Sequence, residues 1–169
     1  VPRLYDGIDL RSSYVIWQEG ISPIVVIEFL SKSTEKEDLG KTNREEKSAP
    51  TKWETYETIL RIPYYITFDR LTNKIQAFRL EGGSYINFLP NNKQLYEIPE
   101  LEISLGLWQG SYQDLNRIWM RWFDKEGVLI ATPLEKETKE KISALVVADK
   151  QRQIADQQRQ EKETLAKQL

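Results

Sequence analysis

Histidine and cysteine are both missing from this 169-residue chain, and methionine occurs once. Their absence removes zinc sites built on imidazole or thiolate, disulfide frameworks, thiol nucleophiles, serine–histidine–aspartate triads and imidazole acid–base catalysis together. No apolar run is long enough for a signal peptide or a membrane span, so a soluble, cytoplasmic protein with no membrane partner is expected. Nor is there an excess of positive charge. The formal net charge is −2, which argues against a strongly basic protein that holds nucleic acid by phosphate neutralisation alone, although local basic stretches could still reach phosphates. The first residue is Val1 rather than methionine, which is expected of a segment of a longer chain or of a processed amino end.

What is present is carboxylate, lysine and tyrosine. The apolar fraction is 40% and the aromatic fraction 11%, enough for one globular domain with a real core. All eight tyrosines and five tryptophans precede residue 133, which places the core there.

One acid stands out. Glu28 lies inside the apolar run Ile24-Val25-Val26-Ile27-Glu28-Phe29-Leu30, which Ser31 closes. With a period of two, Glu28 shares a strand face with Ile24, Val26 and Leu30, and a carboxylate facing a core must be paired, protonated or bound to a cation. In a chain without histidine or cysteine, the cation that carboxylate oxygens would hold is a hard one, magnesium or manganese.

Around this run, Tyr14 to Trp17 reads as a short strand, with Glu19-Gly20 and Ser22-Pro23 turning into the Glu28 strand. After Ser31 the composition turns polar through Pro50. The spacing of Thr34 and Glu37 predicts one capped helical turn in an otherwise mobile excursion near the site. Lys52, Tyr56, Ile59 and Leu60 predict an amphipathic helix over 51–61 that ends before Pro63. A second apolar strand follows over Tyr64 to Phe68, ending at Asp69. Further strands are expected over 74–80, 85–89 and 101–107, separated by turns at Thr72-Asn73, Gly82-Gly83 and Asn91-Asn92. Strand, helix, strand and hairpins in that order point to a mixed sheet with a covering helix.

Beyond Pro133 the chain has neither glycine nor proline and is charged and glutamine-rich, a helix by propensity. Its apolar positions, Ile142, Leu145, Val146, Ile154, Leu165 and Leu169, keep no clean heptad. A solvated helix and an irregular coiled coil that makes a homo-oligomer are both consistent with them.

Lys52 and Tyr56 stand one turn apart on the same helix face as Ile59. If that helix packs beside the Glu28 strand, an ammonium reaches the carboxylate. Metal-assisted phosphodiester hydrolysis needs such a pair: an acid that binds a divalent ion, and a lysine that orients water or stabilises the developing phosphorane charge.

The order Val25-Val26-Ile27-Glu28-Phe29-Leu30-Ser31, Ser33-Thr34 with Asp38, Lys52 with Tyr56, and Ile62-Pro63-Tyr64-Tyr65-Ile66-Thr67-Phe68-Asp69 resembles the Uma-type restriction-endonuclease family of the PD-(D/E)XK nuclease superfamily. A weaker likeness continues through Arg79 to Gly83 and the Trp108-Gln109-Gly110 and Trp119 to Trp122 segments. The resemblance implies a restriction-endonuclease-like core in which Glu28 is the metal ligand and Lys52 the superfamily lysine, displaced from its usual place two residues after the acid, here Leu30. The family also carries a Pro-Asp pair on an earlier strand, whose aspartate binds metal. No Pro-Asp pair occurs in this chain, and Asp6 and Asp9 stand in a different context, so the resemblance puts that acid before Val1.

The fold expected is therefore α/β, a restriction-endonuclease-like mixed sheet flanked by helices over 1–133, followed by a charged helical or coiled-coil tail over 134–169. The function expected is endonucleolytic hydrolysis of DNA dependent on Mg2+ or Mn2+, with Glu28 and Lys52 as catalytic residues and Glu28 as metal ligand. The alternative is an inactive nuclease-fold scaffold that assembles through its C-terminal helix. Structural readings stand beside these: a salt-bridged carboxylate for Glu28, a surface lysine for Lys52, structural parts for Ser31, Tyr56 and Asp69, and core or interface anchors rather than base-stacking platforms for Trp108, Trp119 and Trp122.

Overall fold

The computed structural model describes residues 14–31, 35–41 and 49–166. Asp6 and Asp9, the Thr34 half of the expected helix cap, and Leu169 lie outside the described residues.

Strand β1 (Val25–Phe29) runs parallel to β2 (Tyr64–Asp69), pairing Val25 with Tyr64 and Glu28 with Thr67. Antiparallel β3 (Lys74–Glu81) and β4 (Ser84–Asn87) extend the sheet in the order β1-β2-β3-β4. This is the mixed sheet expected. A parallel pair requires a crossover between its strands, and the polar excursion and the 51–61 helix supply it.

Alternation along β1 and β2 divides two environments. Val25, Ile27 and Ile66 face one way, into a core with Ala77, Leu105, Met120 and Trp122. Val26, Glu28, Tyr65 and Thr67 face the other way, toward the crossover.

That crossover begins with α3 (Lys52–Glu54), which runs on into a π-helical turn, Thr55–Ile59. Thr51 starts it with a capping box: Thr51 Oγ1 accepts from the Glu54 N–H at 3.1 Å and the Thr51 N–H donates to Glu54 Oε2 at 3.0 Å. Such caps contribute about 1 kcal/mol. Trp53 then seats its ring edge-on to Phe78, Tyr85 and Tyr65, with centroids 4.9, 5.3 and 5.6 Å away. The helix covers the face of the sheet that carries Glu28.

A second, antiparallel sheet contributes to the core on the other face: β5 (Tyr96–Ile98), β6 (Ile103–Tyr112) and β7 (Leu115–Asp124). Two of these strands go beyond the expected set. The β6–β7 hairpin turns on Gln113 and Asp114, at φ +49° and +62°, a two-residue connection with both central residues left-handed.

Two local expectations are corrected. Tyr14 to Trp17 is not a strand. Ile16–Glu19 forms one helical turn, α1, which Gly20 closes at φ +72° by donating its N–H to the Ile16 carbonyl. The Tyr14 hydroxyl donates to the Ile21 carbonyl at 2.6 Å and folds the segment back on itself. The polar excursion does hold a helical turn, α2 (Glu35–Asp38), yet that turn ends in two buried residues, Asp38 and Leu39.

The chain divides into two compact units, Val1–Val128 and Leu129–Leu169. The second carries α4 (Pro133–Ala166), 34 residues long. Thr132 and Glu135 form its opening box, with the Thr132 N–H donating to Glu135 Oε2 at 2.7 Å, and Pro133 takes the first helical position, where a missing N–H costs nothing. Among the described residues, no helix is long and apolar enough to cross a membrane.

Candidate active site

Glu28 and Lys52 come together. Lys52 Nζ donates to Glu28 Oε2 at 3.1 Å, bringing an ammonium from the helix onto the strand carboxylate. The other carboxylate oxygen, Oε1, accepts from the Tyr56 hydroxyl at 2.9 Å. Lys52 and Tyr56 are four residues apart, so the helix presents both on one face. Glu28 is 20% exposed and Lys52 37%, which makes the site a half-sheltered surface rather than a sealed cavity.

A second acid joins them. Lys52 Nζ also lies 3.0 Å from Asp38 Oδ1, and the Asp38 side chain is only 1% exposed. The contact is a close ion pair with Oδ1, and among the described residues the second carboxylate oxygen, Oδ2, has no hydrogen-bond donor. The backbone around Asp38 is fixed on both sides. Its carbonyl accepts from the Tyr65 hydroxyl at 2.8 Å. Two residues on, Gly40 at φ +65° turns the chain beneath Trp53, where a Cβ would stand 2.7 Å from the ring. Only glycine meets both demands.

Two carboxylates on one ammonium set its chemistry. Burial pulls the Lys52 pKa down, but the Asp38 and Glu28 carboxylates outweigh it and raise the group to about 12. Lys52 therefore stays positive at neutral pH and can act as a charge, not as a base. Burial, reinforced by the hydrogen bond to Glu28, pushes the Tyr56 hydroxyl up to about 12. It remains a donor. Burial and the nearby Asp38 and Glu28 charges raise Tyr65 further still.

Residues 5–116 match the model of the Uma2 family, described as putative restriction endonuclease. The chain belongs to the Uma2 family. Glu28, Asp38, Lys52 and Tyr56 all fall inside the matched span, and α4 lies beyond it. Searches among curated proteins and among solved structures gave no match.

For this Uma2 chain, the donor set can be weighed against the divalent ion that a restriction endonuclease implies. Carboxylate oxygens are the ligands hard cations take. Asp38 offers two buried oxygens, one of them 3.0 Å from Lys52 Nζ, beside a Glu28 carboxylate that meets the same nitrogen through Oε2. That chemistry fits at two positions. Among the described residues no three acidic groups converge.

Sequence reasoning singles out Glu28 and Lys52 as site residues and names Asp38 only among those that carry the family resemblance, with no role. An acid in a polar stretch gives no sign of burial, and the one local clue is the Leu39-Gly40 pair that follows it. Tyr56, read as a ring packing on the sheet, also holds the Glu28 carboxylate. Asp69 caps its own turn, accepting from the Leu71 N–H and the Thr72 hydroxyl at 2.8 and 2.7 Å. Those bonds hold its carboxyl below the usual range.

Proposed function

We propose that this protein is a metal-dependent endonuclease that hydrolyses DNA phosphodiester bonds at the Glu28–Lys52 site. The observation that supports this most directly is the convergence of a core-edge glutamate, a buried aspartate and a protonated lysine on one point, in a chain whose family is described as restriction endonucleases. Glu28 and Asp38 would hold Mg2+ or Mn2+, which when bound supplies Lewis acidity toward a phosphoryl oxygen. Lys52, positive throughout the physiological range, stabilises the charge that grows on the phosphorane oxygens. Tyr56 orients the Glu28 carboxylate through its hydroxyl, a positioning part.

The test is cleavage of supercoiled plasmid by the full-length protein in magnesium or manganese, beside Glu28→Ala, Asp38→Ala and Lys52→Ala. Cleavage by the parent, reduced at least about 100-fold in the Glu28 and Lys52 variants, supports the proposal, since single electrostatic groups at such sites contribute about 10²–10³ in rate. Equal cleavage by all four proteins would remove the site. Plasmid left intact by the parent would leave a non-catalytic nuclease-fold scaffold as the reading.

A further inference from the structure

Strand β1 turns Glu28 toward the helix and Phe29 the opposite way, and Phe29 is 65% exposed. It opens onto a cleft of about 300 Å3 whose walls include Phe68, Arg70, Arg117 and Trp119. The cleft joins β1 to β7, each the last strand of its sheet. Its size is at the lower end of small-ligand sites, which run about 300–1,000 Å3.

The cleft continues onto a face of alternating arginine and tryptophan. Arg117, Trp119 and Arg121 project together from β7, with Trp108 paired to Trp119 across the hairpin. The Arg117 guanidinium lies 3.9 Å over the Trp119 ring, and Arg121 lies 5.0 Å over Trp108. Tyr112 meets Trp119 edge-on at 5.4 Å. No acidic residue shares this face between Gly106 and Tyr112 or between Leu115 and Phe123. Among the described residues, neither Arg70 nor Arg117 has a carboxylate within ion-pair distance. Asp69, next to Arg70, is held by its own turn.

We propose that this strip binds an unpaired segment of single-stranded DNA, with a base against the exposed Phe29 ring and phosphates on Arg70 and on Arg117, whose guanidinium covers Trp119. A chain of net charge −2 cannot hold nucleic acid by charge alone, so affinity has to come from stacking beside a few phosphate contacts. Flat rings interleaved with guanidiniums supply both. A duplex hides its base faces and could use only the arginines. An acidic peptide would satisfy the arginines and leave the rings uncovered. The inference goes beyond the proposed hydrolysis and does not depend on it, because strand binding is read without any divalent ion.

The experiment is fluorescence anisotropy of a labelled oligothymidylate of about 12 nucleotides and of a duplex of equal length, in EDTA. It compares the parent with Phe29→Ala and with Arg70→Gln/Arg117→Gln. All three replaced side chains are exposed, so folding is not at stake. The single strand should bind at least about tenfold more tightly than the duplex, and Phe29→Ala should weaken it roughly five- to tenfold. The double glutamine variant should also flatten the plot of log K against log salt by about 0.7 per arginine. Equal binding of duplex and single strand, unchanged affinity in both variants, or displacement of the oligonucleotide by polyglutamate at equal charge would overturn the proposal. A failure here leaves the plasmid test untouched, and a failure there leaves this one untouched.

Discussion

The Tyr56 hydroxyl donates to Glu28 Oε1 at 2.9 Å, on the carboxylate oxygen opposite the one that accepts from Lys52. Both oxygens of Glu28 are thereby held by one helix face, which fixes the plane of the carboxylate as well as its place. Tyr56→Phe keeps the ring beside Tyr65, 5.4 Å away, and deletes only the donor. Urea denaturation should report a loss of about 1.5–3 kcal/mol, the net worth of a hydrogen bond to a charged group. No change would mean that water replaces the hydroxyl without cost.

Lys52→Met separates charge from bulk in a different way. The side chain length remains, but the Asp38 carboxylate is left buried without its counter-charge. A fully buried partner would cost about 3–5 kcal/mol to remove. Lys52 is 37% exposed, so solvent screens part of that, and a loss of about 1–3 kcal/mol is expected by urea denaturation. If Asp38→Asn is combined with Lys52→Met, the penalty should shrink, because no buried anion is left to strand. Simple additivity of the two variants would contradict the ion-pair account.

Alkaline stability draws on several raised groups, Lys52, Tyr56 and Tyr64 among them. Lys52, Tyr56 and Tyr64 each stand at about 12, against ordinary values of 10.5, 10.0 and 10.0. For Tyr64, burial and the hydrogen bond to Glu100 supply the shift. A folded pKa above the unfolded one favours the protonated form in the native state. Its contribution is complete below about pH 10 and drains away as pH rises through about 12. Denaturation midpoints should therefore fall between those limits, with tyrosinate absorbance appearing later in native protein than in urea. Coincident tyrosinate curves for folded and unfolded protein would refute this.

Asp38→Asn tests the second acid without relying on activity. Manganese binding, followed by water-proton relaxation, should weaken at least about tenfold, a size that even supporting residues of metal sites reach. Near-ultraviolet circular dichroism would verify that the Trp53–Tyr65 packing survives. An Asp38→Asn variant that binds manganese as the parent does would exclude Asp38 from the cation's ligands.

The parts of the fold legible in the sequence were those carried by apolar periodicity. Val25 to Phe29 and Tyr64 to Phe68 are apolar runs, each interrupted by a single polar residue, and both are strands, paired in parallel. The helix with Lys52 and Tyr56 was legible from its face, and the meeting of Lys52 with Glu28 followed from placing that helix over that strand. Strand β7 was hidden because both of its faces carry large residues: Ile118, Met120 and Trp122 inward, Arg117 and Trp119 outward, which blurs a two-residue alternation. Its turn was hidden too. Gln113-Asp114 adopts a geometry usually announced by Asn-Gly. The part of Asp38 was illegible for a deeper reason, since its partners, Tyr65 at its carbonyl and Lys52 at its carboxylate, are brought to it only by tertiary structure. Tyr14 to Trp17 misled in the other direction, four residues being too few to tell a strand from a single helical turn.

The π-helical turn over Thr55–Ile59 closes with the Leu60 N–H on the Thr55 carbonyl at 2.8 Å, and the Ile62 N–H reaches back to the Tyr56 carbonyl at the same distance. A turn of this kind holds one residue more than its α-helical equivalent. Deleting a single residue there would restore ordinary pitch and rotate the upstream helix by about 100° relative to the Ile62-Pro63 anchor. Lys52 and Tyr56 would swing together off the carboxylate while the sheet stayed as it was. The aim of the whole cationic arm is thus geared to one surplus peptide unit.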